Sequence, residues 1–293
     1  MHDTRRTSLT PTLALALALT GCGDVTPEAP SPALAPQDTR AARLERRQRV
    51  EGAGGASVRY DLVSIDTAEA RLEVRDAGPD APGACAPSGL GLFQTLSKDT
   101  LASLNASQWG DDDDPRAPRR PTPSPGGWGW RSRDLECITD ASFGGEAAGT
   151  LAPHQTIVAL EPPGLITDQA GFVDADPEHA LMSSVTLMWE GEFAHRGARW
   201  APEDPAYQEH FDARLSRSML GFDADLRTAY FVASRYSTLE DVYAIARAHG
   251  MRYAFLLDGG ASSQLSFGGH VLDGWGFTRS SVMNAVVAVA REP

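Results

Sequence analysis

Within this chain of 293 residues, the run best suited to chemistry is Leu257-Asp258-Gly259-Gly260-Ala261-Ser262-Ser263. Two adjacent glycines allow positive φ and close backbone approach, so successive amide protons can converge on one anionic oxygen, with Asp258 at the lip of the concavity. The core of the run, Asp258-Gly259-Gly260-Ala261, also fits a tight turn whose aspartate caps its own backbone. Metal chemistry is not expected. His154, His195, His210 and His270 lack a ligand spacing such as H-E-x-x-H, and neither Cys85 nor Cys137 has a C-x-x-C partner. The four aspartates at 111–114 raise calcium, but without the spaced ligands and bidentate glutamate of an EF-hand they read as a solvated charge run.

The elements that must hold the turn lie just upstream. Residues 226–233 read as a strand, 239–249 as a helix and 253–257 as a second strand. Thr238 is a good N-cap with Asp241 near the capping-box position; Leu239, Val242, Tyr243 and Ala246 form one apolar face, and Gly250 stops the helix. A strand, crossover helix and strand of this length predict a right-handed parallel unit, whose ligands sit beyond the carboxyl ends of its strands. Asp258 falls there.

Towards the N-terminus, Val58, Tyr60, Leu62 and Ile65 alternate with polar residues and are followed by Leu72 and Val74, which predicts an opening hairpin from near Ser57. Residues 156–160 and 185–189 read as strands, the second closed by a turn at Glu190-Gly191. Residues 110–129 combine the aspartates with five prolines and read as a long surface loop. The fold class expected is α+β: a single domain over 57–293 with a large mixed β-sheet, few helices and one strand-helix-strand unit near the C-terminus.

Composition narrows the partners. The net charge is −13, from 26 Lys plus Arg against 39 Asp plus Glu, which does not suit nucleic-acid binding. The Leu/Ala run at 13–19 is too short to cross a hydrocarbon layer that needs about 20 residues. Arg5 and Arg6 before it and Leu19-Thr20-Gly21-Cys22 after it have the order of a secretory signal, residues 1–21, and resemble the lipobox of bacterial lipoproteins. That resemblance implies acylation of Cys22, membrane anchoring and a place in the cell envelope, facing the periplasm or exterior. An ordinary cleaved signal is the other reading. Without Asp3, Arg5 and Arg6, the 26 basic and 39 acidic residues become 24 and 38, a net of −14. Residues 22–56 read as a Pro/Ala-rich tether followed by an arginine-rich segment, 40–51, which fits a solvated helix or one that steadies the domain on an anionic bilayer. An exported chain meets oxidising conditions, so Cys85 and Cys137 fit one disulfide, or two unpaired thiols.

Arg217-Ser218-Met219-Leu220-Gly221, the strand-helix-strand pattern, the Asp258 run and Arg279-Ser280-Ser281-Val282-Met283-Asn284-Ala285 together resemble the phosphodiester glycosidase family over about residues 215–290. Leu101-Ala102-Ser103-Leu104-Asn105 resembles the strand leading into that family's Asn-Gly-Gly-Phe-Phe motif, and residues 187–191 resemble a later hairpin. The resemblance implies hydrolysis of a sugar 1-phosphodiester at the anomeric carbon; from the ligand spacings no cofactor is expected, with calcium at 111–114 the one unsupported alternative. Asp258 and Arg217 are the implied catalytic residues; Asn105, Gly259, Gly260, Ser262, Arg279 and Asn284 are implied to contact the phosphorylated glycan. The chain departs from the pattern at Ala106-Ser107-Gln108-Trp109, where the family has two glycines and two aromatics, at Leu256, where it has asparagine, and at Ala261, where it has a third glycine. These departures define the alternative, a catalytically decayed lipoprotein of the same fold that binds phosphorylated glycans.

Overall fold

The computed structural model describes residues 38–76, 99–106, 129–133, 136–138, 140–144, 148–151, 155–183, 185–194, 213–260, 263–272 and 284–291. They belong to one compact unit, Pro36–Pro293. With strands numbered in chain order, the largest sheet runs β1 (Ala42–Glu51), β2 (Ser57–Asp66), β12 (Thr228–Ser237), β11 (Leu215–Phe222), β13 (Tyr253–Leu256), β9 (Val185–Trp189) and β10 (Glu192–Phe193). A second runs β15 (His270–Leu272), β14 (Leu265–Phe267), β4 (Thr100–Asn105), β16 (Asn284–Ala290) and β3 (Ala70–Asp76). The third runs β5 (Trp130–Arg131), β8 (Ala180–Met182), β6 (Ile157–Leu160) and β7 (Pro163–Ile166). Two α-helices lie among the described residues, α1 (Gln169–Ala175) and α2 (Leu239–Ala248).

The seven-stranded sheet is a middle layer. On one face Leu62, Leu187, Met219, Val232 and Leu256 pack against Leu239, Val242, Ile245 and Ala246 of α2. On the other, Val63, Leu220, Phe222, Phe231 and Phe255 pack against Leu72, Leu104, Leu265, Phe267 and Val286 of the five-stranded sheet. Each such side chain contributes about 1.5–3 kcal/mol on burial. Burial on both faces also blurs the alternation of β2, where residues 60–63 are all buried although even and odd positions face different layers. The predicted capping box forms: Asp241 N donates to Thr238 Oγ1 at 3.2 Å, and Thr238 N donates to Asp241 Oδ2 at 3.0 Å. Such a cap is worth about 1 kcal/mol.

The α+β class holds, as do α2, the 185–189 strand and its turn, where Glu190 and Gly191 both have positive φ, 53° and 87°. The single mixed sheet resolves into three sheets whose strand ladders are all antiparallel. β12 and β13 run parallel, joined through α2, but β11 lies between them and is antiparallel to both. The short connection after β11 folds it back onto β12 as a hairpin, so the helical crossover has to step over β11. β2 and β3 are no hairpin. The turn at 67–69 is a corner that sends β3 into the other sheet, where it pairs with β16 and puts Leu72 and Val74 into the core between the two sheets.

The arginine-rich segment 40–51 is not helical. It forms β1, the edge strand of the large sheet, since pairing with β2 satisfies its backbone and buries Ala42, which outweighs helix propensity. The folded unit therefore begins well before residue 57 and includes the arginine-rich segment. Cys22, Cys85, the 111–114 run, Ala261, Ser262 and Arg279 lie outside the described residues.

Candidate active site

The carboxyl end of β13 meets the ends of β4, β11 and β16. Leu257 N continues the ladder to Ser218 O at 3.0 Å, and both backbone polar groups of Asp258 are then taken: its N–H donates to Ala106 O at 2.8 Å, and its carbonyl accepts from Asn105 Nδ2 at 2.8 Å. Asn105 Oδ1 accepts from Ser218 Oγ at 2.6 Å and from Gln264 N at 2.9 Å. One buried amide thus ties the five-stranded sheet, the seven-stranded sheet and both sides of the glycine turn together. With its main chain fixed, Asp258 (6% exposed) has only side-chain torsions left to place its carboxylate.

The two glycines are needed for different reasons. A β-carbon on Gly259 would stand 3.1 Å from Ser216 O and 3.9 Å from Arg217 Cδ, so the turn closes directly onto β11. Gly260 has open space around it but φ +64°, a conformation costly for L-residues. Ser263 N closes the turn on Gly260 O at 3.3 Å. Beneath Gly259 lies Arg217, 5% exposed, whose Nη2 donates to Ala213 O at 2.9 Å and Nε to Ser237 O at 3.4 Å. Burial pulls its pKa down to about 10, which leaves it protonated at neutral pH. A buried guanidinium costs several kcal/mol of hydration; this one is held by two backbone carbonyls with its stem under the glycine turn, which marks a candidate site for an anion.

The structure brings Asp258, Gly259, Gly260, Arg217, Asn105 and Asn284 to one place, but in two tiers. Asn105 and Asn284 are fully buried. Asn105, expected among the substrate contacts, spends its amide on protein partners and braces the turn from below. Asn284 stands at the start of β16, paired with Asp76, and its carbonyl accepts from Ala106 N at 3.1 Å. Ala106 therefore connects Asn284 to Asp258 through its backbone alone. Leu256 packs into the apolar layer under α2. Sequence reading missed Ser218 and Gln264. Ser218 carried a signal, a hydroxyl in the same inward phase of β11 as Leu220 and Phe222, which calls for a buried partner; Gln264 acts through its backbone and carried none.

Fold and site together define an antiparallel β-sandwich with a helical outer layer, built around a braced Asp-Gly-Gly turn over a buried arginine. Residues 147–289 match the model of the family described as Phosphodiester glycosidase, which bears out the resemblance read from the sequence. The fold is similar to that of the catalytic domain of zebrafish N-acetylglucosamine-1-phosphodiester alpha-N-acetylglucosaminidase auto-inhibited by its pro-peptide. That likeness has a TM-score of 0.59 at 13% identity and covers 86% of this chain and 83% of that one. A hypothetical protein from Synechocystis is similar with a TM-score of 0.58 at 15% identity, over 86% of this chain and 63% of that one. No curated protein matches.

Proposed function

We propose that the protein is an exported, lipid-anchored hydrolase that cleaves a sugar 1-phosphodiester at the anomeric carbon of an envelope or extracellular glycan. The observation that carries this reading is the closure of Gly259 onto the stem of Arg217 while the Asp258 backbone is held from both sides, within the span that matches the glycosidase family.

Glycoside cleavage passes through an oxocarbenium-like transition state and normally uses two carboxylates. A phosphate monoester, with a second pKa near 6, leaves far more readily than a sugar alkoxide, so the need for a strong general acid falls. In the proposed step, water oxygen bonds to the anomeric carbon, the carbon–oxygen bond to phosphate breaks, and the bridging oxygen departs with the phosphate. Asp258 takes the proton from the water or stabilises the sugar cation. Arg217, with Arg279, offers planar forks to the phosphate oxygens, and the Gly259 and Gly260 amides add donors where negative charge grows. Ser262 contacts the glycan beside them, and Asn105 and Asn284 support the turn.

The anchor is the acylated Cys22, and Cys137, which is buried, pairs with Cys85. The binding-only alternative draws support from Leu256, whose apolar burial leaves no amide where the family carries one. Turnover of an anomeric sugar phosphodiester by wild type, beside Asp258→Ala and Arg217→Ala, decides between them. The hydrolase reading expects loss of at least about 100-fold in each variant; binding without turnover by wild type supports the alternative, and equal turnover in all three removes the site assignment.

A further inference from the structure

Away from the Asp258 turn, a groove of about 580 Å³ opens at the edge of the seven-stranded sheet, lined by Thr39, Arg40, Arg43, Asp66, Arg227 and Thr228 among others. The side chains of Arg40 and Arg43 are 86% and 71% exposed, and their carboxylate neighbours, Glu69 at 2.9 Å and Asp38 at 3.9 Å, form surface pairs. Pairs of that kind exchange readily with solvent and with other anions. The basic character continues along β1, where Arg46, Arg47 and Arg49 are also exposed. A bulge between Glu45 and Gln48, with Arg47 at φ 54°, interrupts the ladder there and bends the edge.

We propose that this arginine edge and its groove form a docking surface for anionic phospholipid headgroups of the membrane that carries the chain's own anchor. The placement rests on the reading of Cys22 as the acylated residue. Sixteen residue steps separate Cys22 from Asp38, which span at most about 55 Å when fully extended, and Thr39, the next residue, already lines the groove. The surface nearest the anchor in the chain is therefore the arginine edge. Guanidinium forks match phosphodiester oxygens. Screening confines each charge to about 8–10 Å, so the net −13 of the whole chain does not cancel a local basic edge. Apart from steadying the domain, such docking fixes which side of it faces outward.

The test uses the chain from residue 22 with Cys22→Ser, which carries no acyl group, sedimented with phosphatidylcholine vesicles with and without phosphatidylglycerol. Binding is expected only to the anionic vesicles, is expected to weaken on the order of a hundredfold in Arg43→Glu/Arg49→Glu/Arg227→Glu, and is expected to vanish at high salt. The thermal melt of the triple variant should match the parent; if it does not, Arg43→Gln/Arg49→Gln, with no reversed charge, should still weaken binding by roughly tenfold to thirtyfold. No binding, equal binding to both vesicle types, or undiminished binding in folded variants overturns the proposal. Since no acyl group is present, that failure leaves the anchor reading standing; incorporation of labelled fatty acid at Cys22 tests the anchor separately.

Discussion

The side-chain amide of Asn105 donates to the backbone carbonyl of Asp258 at 2.8 Å, across a sequence separation of 153 residues. Its oxygen at the same time holds Ser218 and Gln264. The geometry of the Asp258 turn is thus set by a residue of a different sheet. Asn105→Ala is expected to leave the Ser218 hydroxyl and the Gln264 amide buried without that acceptor, at about 1–3 kcal/mol each. Asn105→Asp keeps the acceptor but loses the donor to Asp258. Because Asn105→Asp also buries a carboxylate against that carbonyl, urea denaturation should place both variants below wild type, and turnover should fall in both with little change in KM. A loss confined to KM would return Asn105 to the substrate contacts.

Gly259 and Gly260 should fail differently. Gly259→Ala places a carbon 3.1 Å from Ser216 O and pushes the turn off β11, whereas Gly260→Ala meets no neighbour among the described residues and carries the strain of φ +64°. That strain is about 1–2 kcal/mol, and asparagine, which tolerates this region better, should recover part of it. Crystal structures of the two alanine variants should show a displaced turn for the first and an unmoved one for the second.

Much of this was legible in the chain, and the reasons for the remainder are physical. Thr238, the apolar face of α2 and Gly250 specify the helix locally, and the Asp258 run announced a special turn through its glycines. What the sequence left open depends on non-local pairing. The alternation in β2 and β3 looks the same whether the strands form a hairpin or cross between sheets, and β1, rich in arginine and good helix formers, becomes a strand only because β2 offers it a partner. Asn105 was picked out by the resemblance of residues 101–105 to a family strand, but its role depends on Ser218 and Gln264, which meet it only after both sheets have folded.

Stability should fall in mild acid. The Tyr60 hydroxyl lies 2.8 Å from His249 Nε2, and burial lowers the pKa of His249, with Glu45 opposing; burial lowers His179 in the same way, with Glu73 and Glu178 opposing. Both folded-state values lie below the ordinary value of about 6.5, so below that pH the unfolded chain takes up protons that the folded form resists. The contribution is complete above about pH 6.5 and is lost as pH falls through the depressed values. Melting temperature should therefore drop between about pH 7 and pH 5, and His249→Gln should flatten that slope.

The proposed Cys85–Cys137 bridge would close a loop of about 53 residues, worth roughly 4 kcal/mol in the chain-entropy model. Cys137 is 1% exposed and its N–H donates to Trp130 O at 2.8 Å, which holds that end of the loop in the core. Alkylation of the protein purified without reductant should label neither cysteine until it is reduced, and Cys137→Ser should lower the denaturation midpoint. Two thiols that label without reduction would contradict the bridge.

In the proposed hydrolysis water attacks carbon and not phosphorus, and bond cleavage in oxygen-18 water separates the two. With a sugar 1-phosphodiester as substrate, the account predicts turnover that needs Asp258 and releases a phosphate monoester free of the label, because the bridging oxygen leaves with phosphate. Label in the released phosphate, or turnover that survives Asp258→Ala unchanged, would contradict it.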